Sequence, residues 1–194
     1  MSEPDGASLI ADQLIDRFGS IPAVLSASPA DRADATASAP RVGRLLDVVR
    51  RMILHALRHE ASSGPIIGNH DALIAYLQMA MAHEPREQLR ALFLNARNEL
   101  LSEEVIFEGS VRSVQMPFRE ILHRALLARA TALVIVHNHP SGDPRPSKQD
   151  IEATRALIEA AAPLDIVVHD HLVVARSGVV SLRASGLLDA AVES

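Results

Sequence analysis

Apolar positions in the first third of this chain recur at helical spacing; afterwards helical and strand-like spacings alternate. Ser8–Phe18 carries leucine and isoleucine at helical intervals and stops at Gly19. A short helix is predicted over Ile21–Ala27, and Ser28-Pro29-Ala30-Asp31 reads as a turn followed by a new helix start. Asp31–Pro40, rich in Ala, Ser and Asp, has no clear period. Val42–Glu60 then places Leu45, Leu46, Val49, Met52, Ile53 and Leu57 as an amphipathic helix would. Ser62-Ser63-Gly64-Pro65 breaks that helix and is the best boundary between two parts of the chain.

The second part mixes types. His70–His83 is predicted helical, capped by Asn69 or Asp71. Gln88–Asn95 and Leu100–Glu108 read as strands joined by the Ala96-Arg97-Asn98 turn. Pro117 opens a helix to about Ala130, at a first-turn position proline tolerates. Ala132–His137 is a buried strand and Ser147–Ala162 a helix. Ile166–Val168 and Leu172–Ala175 are two further strands, and Ser177-Gly178 turns into Val179–Leu182. Strands mixed with helices indicate an α/β or α+β sheet covered by helices.

Composition narrows the chemistry. The 194 residues are 48% apolar and 22% charged, the profile of a folded chain rather than a disordered one. Aromatics are 3% with no Trp, so Leu, Ile, Val and Ala must build the core. No apolar run approaches the ~20 residues that span a bilayer, and the acidic opening lacks the basic and apolar regions of a signal peptide. A cytoplasmic location without a membrane partner is the expectation. With no cysteine, any metal must be held by His, Asp or Glu. The net charge is −5, with seven basic and eight acidic residues up to position 70 and twelve and sixteen beyond it. Neither part is basic, which argues against tight non-specific DNA binding, although Arg41, Arg44, Arg50, Arg51 and Arg58 could form a local patch.

One string carries the chemistry: His137-Asn138-His139-Pro140-Ser141-Gly142-Asp143-Pro144-Arg145-Pro146-Ser147-Lys148-Gln149-Asp150. Side chains two apart on a strand point to the same side, so His137 and His139 can reach one ion together. Asp150, in the first turn of the next helix, offers an oxygen as a third ligand. Two imidazoles and a carboxylate leave a tetrahedral position for water, as catalytic rather than structural zinc sites do. The bland reading is two polar residues ending a buried strand. Ser147 likewise has a structural role open to it, because Ser-x-x-Asp is a helix-capping pattern worth ~1 kcal/mol. Asn138, Ser141, Gly142 and Asp143 are expected to shape the loop over the metal. His169-Asp170-His171 repeats the His-x-His pattern without a third ligand of clear spacing, where a strand breaks into a hairpin, and reads as structural or as support behind the ligands. His55 and His59 lack the glutamate of a metalloprotease helix, since Ala56 holds its place.

The spacing His-x-His, seven residues, Ser, two residues, Asp resembles the JAMM (MPN-plus) metalloprotease motif, and the whole string is similar to its RadC branch of bacterial JAB-domain proteins. The resemblance runs from about Ser62 to Leu188 and includes PREQLRALFLNARNELL, EEVIFEGS, PFRE and HDHLVV. A less specific likeness covers Ser8–Asp31. The resemblance implies a mixed sheet flanked by helices, with a cytidine-deaminase-like layout, over residues 66–194. A small helical module, degenerate in its helix-hairpin-helix pattern, would occupy 1–62. The resemblance also implies zinc (Zn²⁺) on His137, His139 and Asp150, an oxyanion-stabilising role for Ser147, and a glutamate base at the start of the first core strand. Glu87 matches that place; Glu103, Glu104 and Glu108 are rivals that spacing alone does not exclude.

Two functions follow. The first is zinc-dependent hydrolysis of amide bonds in a peptide or protein substrate. The second is a DNA-associated accessory role with an idle JAB domain. In the phosphate-binding hairpin that RadC relatives carry, this chain reads Ala35-Thr36-Ala37-Ser38-Ala39-Pro40-Arg41-Val42-Gly43, with a single glycine, so any DNA binding is expected to be weak.

Overall fold

The computed structural model describes residues 6–109 and 116–188. Ser110, which ends the EEVIFEGS string, and the first acidic residues of the chain lie outside them. Four helices open the fold: α1 (Gly6–Phe18), α2 (Ile21–Ser26), α3 (Pro29–Ala35) and α4 (Pro40–Ala61). Serine starts two of them, since Ser20 and Ser28 accept hydrogen bonds from Ala23 and Asp31 amides, each ahead of a first-turn proline. The ambiguous stretch therefore resolves into the end of α3, a turn, and an earlier start for α4.

That turn is held by a buried charge. Arg32 is 2% exposed and its guanidinium meets Asp47 of α4 at 2.6 Å. It also donates to the carbonyl oxygens of Leu25 and Ala27 at the end of α2. One side chain thus joins three helices. Gly43 sits inside α4, and a Cβ there would come within 2.4 Å of Thr36 Oγ1. The lone glycine of the suspected phosphate hairpin serves close helix packing.

A 3-10 turn, Ile66–Asn69, leads into α5 (His70–Met81). Asn69 precedes α5 without capping it; its amide donates instead to the Glu60 carbonyl. The remaining elements are β1 (Glu87–Leu94), β2 (Leu100–Gly109), α6 (Phe118–Leu127), β3 (Ala132–Asn138), α7 (Lys148–Ala161), β4 (Val167–Ala175) and β5 (Gly178–Ser181). The five strands form one mixed sheet in the order β2-β1-β3-β4-β5, parallel at β3–β4 and antiparallel elsewhere.

Every residue of β3 is buried, because both faces of the sheet are covered. Leu92, Val134, Val136 and Leu172 pack toward α5 on one face. Phe93, Leu133 and Ile135 pack on the other with Ile121 and Ala125 of α6 and Leu157 of α7. The alternation expected of strands thus feeds two apolar layers rather than one.

The sequence predicts two strands around His169-Asp170-His171; the structure has one. Pairing slips there, with Leu133 opposite Val168 but Val134 opposite Asp170. The bulge leaves one residue over and reverses which face the following side chains take. Asp170 holds the irregularity by accepting from the His171 and Arg183 amides and from the Ser181 hydroxyl. Polar residues that look like a strand end are a pinned bulge.

Replacing Asp47 with alanine leaves the Arg32 charge buried without its carboxylate. We expect a loss of about 3 kcal/mol in unfolding free energy, read by denaturant titration, with Asp47→Asn in between because it keeps an acceptor.

Candidate metal centre

Both histidines of the motif lie at the end of β3, where the strand leaves the covered sheet. His137 is the last inward-facing residue but one, 2% exposed, and the backbone of His139 still pairs with Val174 of β4. The loop that follows is closed by backbone contacts. Gly142 has φ +93°, and a Cβ there would press on the Arg176 guanidinium at 3.0 Å, so glycine suits the place on both counts. The Gly142 carbonyl accepts from the Ser177 hydroxyl and the Ser141 carbonyl from Arg176.

The loop delivers the chain to α7 through a full capping box. Ser147 Oγ accepts from the Asp150 amide at 3.1 Å, and the Ser147 amide returns a bond to Asp150 Oδ2 at 2.7 Å. The Ser147 hydroxyl also donates to Oδ2 at 2.7 Å. Asp150 is thereby aimed at the histidines: its Oδ1 lies 3.7 Å from His137 Nε2 and its Oδ2 3.8 Å from His139 Nε2. The two Nε2 atoms are 2.9 Å apart. Donors about 2.1 Å from one tetrahedral ion stand roughly 3.4 Å from one another, so these separations suit a single small cation. Among the described residues, His137, His139 and Asp150 form the one group of this kind that could hold a metal ion.

The ring protons agree. His139 Nδ1 lies 2.8 Å from the Asp143 carbonyl oxygen, which can only accept, so Nδ1 carries a proton and Nε2 is the nitrogen left to face an ion. Burial, helped by His139 and opposed by Asp150, brings the pKa of His137 down to about 4. A neutral imidazole with a free nitrogen is a metal ligand; an imidazolium is not.

Glu87 begins β1 and faces the same cavity of about 830 Å³ that His137, His139, Ser147 and Asp150 line. It stands outside the three-ligand group. Partial burial raises its carboxyl pKa, His139 pulls it back and Asp150 adds to the rise. None of its rivals lines that cavity. Glu103 accepts from Tyr76 and Arg90, Glu104 pairs with Arg124 at 3.0 Å, and Glu108 lies 3.7 Å from Arg86.

Asn138 does something the sequence reading missed. Rather than shaping the loop over the histidines, it grips the segment that carries Glu87. Its Oδ1 accepts from the Gln88 amide at 2.8 Å, and its Nδ2 donates to the carbonyls of Glu84 and Arg86. The side chain is fully buried between the ligands' strand and the entry to β1. No local signal marks this, since the partners lie some 50 positions away in sequence. His169 reaches the hairpin turn at Asn98, 2.6 Å away, whereas His171 touches His137.

A mixed sheet covered by helices, with two histidines and an aspartate converging at a strand end, defines a JAB-type domain. The model for the RadC-like JAB domain matches residues 67–187. A UPF0758 protein from Rhodobacter capsulatus is 41% identical over 179 residues, which are 92% of this chain and 84% of that protein. The chain belongs to the RadC-like JAB-domain family.

Asn138→Ala strips partners from a buried amide and two carbonyls. We expect a loss of about 2–3 kcal/mol and faster hydrogen exchange at the Gln88 amide than at Ala91 in the middle of the strand.

Proposed function

We propose that this protein is a zinc-dependent hydrolase of amide bonds, of peptide or isopeptide type. The observation that carries the reading is the convergence of three ligand atoms in a cavity whose wall also presents a carboxylate of raised pKa. Zinc supplies Lewis acidity, which lowers the pKa of a water to about 7 and polarises a carbonyl. His137, His139 and Asp150 would hold it. Glu87 accepts the proton of the attacking water and returns it to the leaving amine; partial burial makes its carboxylate a better base. Ser147 hydrogen-bonds the developing oxyanion. Its single hydroxyl proton rests on Asp150, so that role requires the hydroxyl to turn toward the substrate while the backbone amide keeps hold of the carboxylate. Apolar side chains of Leu89, Phe107, Met116 and Phe118 line the same cavity and give a hydrophobic substrate side chain a place beside the scissile bond.

The DNA-associated alternative draws little support from the first four helices. Arg50 and Arg58 lie beside Glu84 and Glu103, which divides the basic patch. Among the described residues no helix is long and apolar enough to cross a membrane.

Metal analysis of untagged protein tests the reading first. Near one zinc per chain is expected, lost in His137→Ala, His139→Ala and Asp150→Ala; metal-free wild type from a zinc-replete preparation sinks it. A screen of peptide and isopeptide conjugates then supplies a substrate. Glu87→Gln should keep zinc and lose about 10²–10⁴ in rate, while Glu104→Gln stays active. The reverse pattern reassigns the base.

A further inference from the structure

Behind His137 lies a chain of buried polar atoms with no part in the chemistry above. His137 Nδ1 is 2.6 Å from His171 Nε2. His171 Nδ1 is 2.6 Å from Thr154 Oγ1, and Thr154 Oγ1 is 2.6 Å from the Asp150 carbonyl oxygen. Thr154 and His171 are fully buried.

Counting protons gives the chain a direction. Two oxygens 2.6 Å apart need a proton between them, and the Asp150 carbonyl has none, so the Thr154 hydroxyl donates to it. A hydroxyl has one proton. Toward His171 it can therefore only accept, which puts a proton on His171 Nδ1. The His171 ring is fully buried, where a second proton and its charge would be costly, so it is neutral and its Nε2 is bare. The proton between the two imidazoles then belongs to His137 Nδ1. His137 Nε2 keeps its lone pair, on the side where His139 and Asp150 converge.

We propose that Thr154 and His171 are positioning residues that hold His137 in the Nδ1–H tautomer and tie its ring to the helix turn carrying Asp150. Thr154 stands one turn beyond Asp150 on α7, so the chain links two ligands on different elements through their supports. The bulge in β4 makes this possible: Val168 lies on the α6–α7 face, and the slip beyond it brings His171 to that face beside His137. What the lone pair is for rests on the proposed zinc reading; the tautomer does not.

The experiment uses the full chain without metal. Long-range proton–nitrogen correlation spectra report which nitrogen of each imidazole is protonated. Wild type should show Nδ1–H on both His137 and His171. In Thr154→Val, His171 loses its acceptor and can move its proton to Nε2; His137 must then accept at Nδ1, and its own proton goes to Nε2. Both rings should shift toward the other tautomer, and zinc affinity by chelator competition should fall by about 10–100-fold. Thr154→Ser keeps the hydroxyl and should restore both readouts. A proton on His171 Nε2 in wild type overturns the relay, and so does Thr154→Val with wild-type tautomers and affinity. The wild-type spectrum decides even if Thr154→Val fails to fold. Wild type that shows both Nδ1–H tautomers yet binds no zinc upholds the relay and overturns the hydrolase reading.

Discussion

Strand β3 has partners on both edges and helices on both faces, so its polar backbone groups and apolar side chains are satisfied in one register only. A slip of one residue would turn Leu133 and Ile135 out of one apolar layer and His137 with them. The candidate histidine ligands are therefore placed by the same burial that holds the sheet together. Asn138 and His139 inherit their positions from that register, one facing the entry to β1 and the other the loop. The two candidate histidine ligands thus stand at the end of a strand buried along its whole length.

The capping box extends that constraint to α7. A helix of 14 residues is started by Ser147, and the carboxylate that completes the box is the one that faces the histidines. Helix start and the placing of the Asp150 carboxylate are one structure, which is why a short stretch of sequence can encode both. Glu87 is held differently, through the grip of Asn138 on the backbone of its neighbours Glu84, Arg86 and Gln88.

Much of this was legible beforehand because it is local. The apolar run into His137, the proline-rich loop and the Ser-x-x-Asp start of α7 are contiguous in sequence, and the helices and hairpin followed their periodicities. Long-range partners were not legible. His169-Asp170-His171 looks like the end of a strand because three polar residues interrupt an apolar run. Their acceptors and donors, Asn98, Ser181 and His137, come from elsewhere in the chain and turn the interruption into a pinned bulge. Asn138 was misjudged for the same reason: its neighbours in sequence belong to the motif, whereas its hydrogen-bond partners do not. The partners of the rival glutamates Glu103 and Glu104 (Tyr76, Arg90 and Arg124) are likewise distant in sequence.

The bulge in β4 also bears on how this chain can change length. Side chains along a strand keep an even–odd parity, and the extra residue at the slip resets it between Val168 and His171. Deleting one residue there would leave an unbroken strand with sound hydrogen bonding while exchanging inward and outward side chains on one side of the cut. An insertion in the loops would be absorbed at the surface. The length of β4 is thus under a stricter rule than its composition, and the rule comes from a histidine that lies directly behind His137.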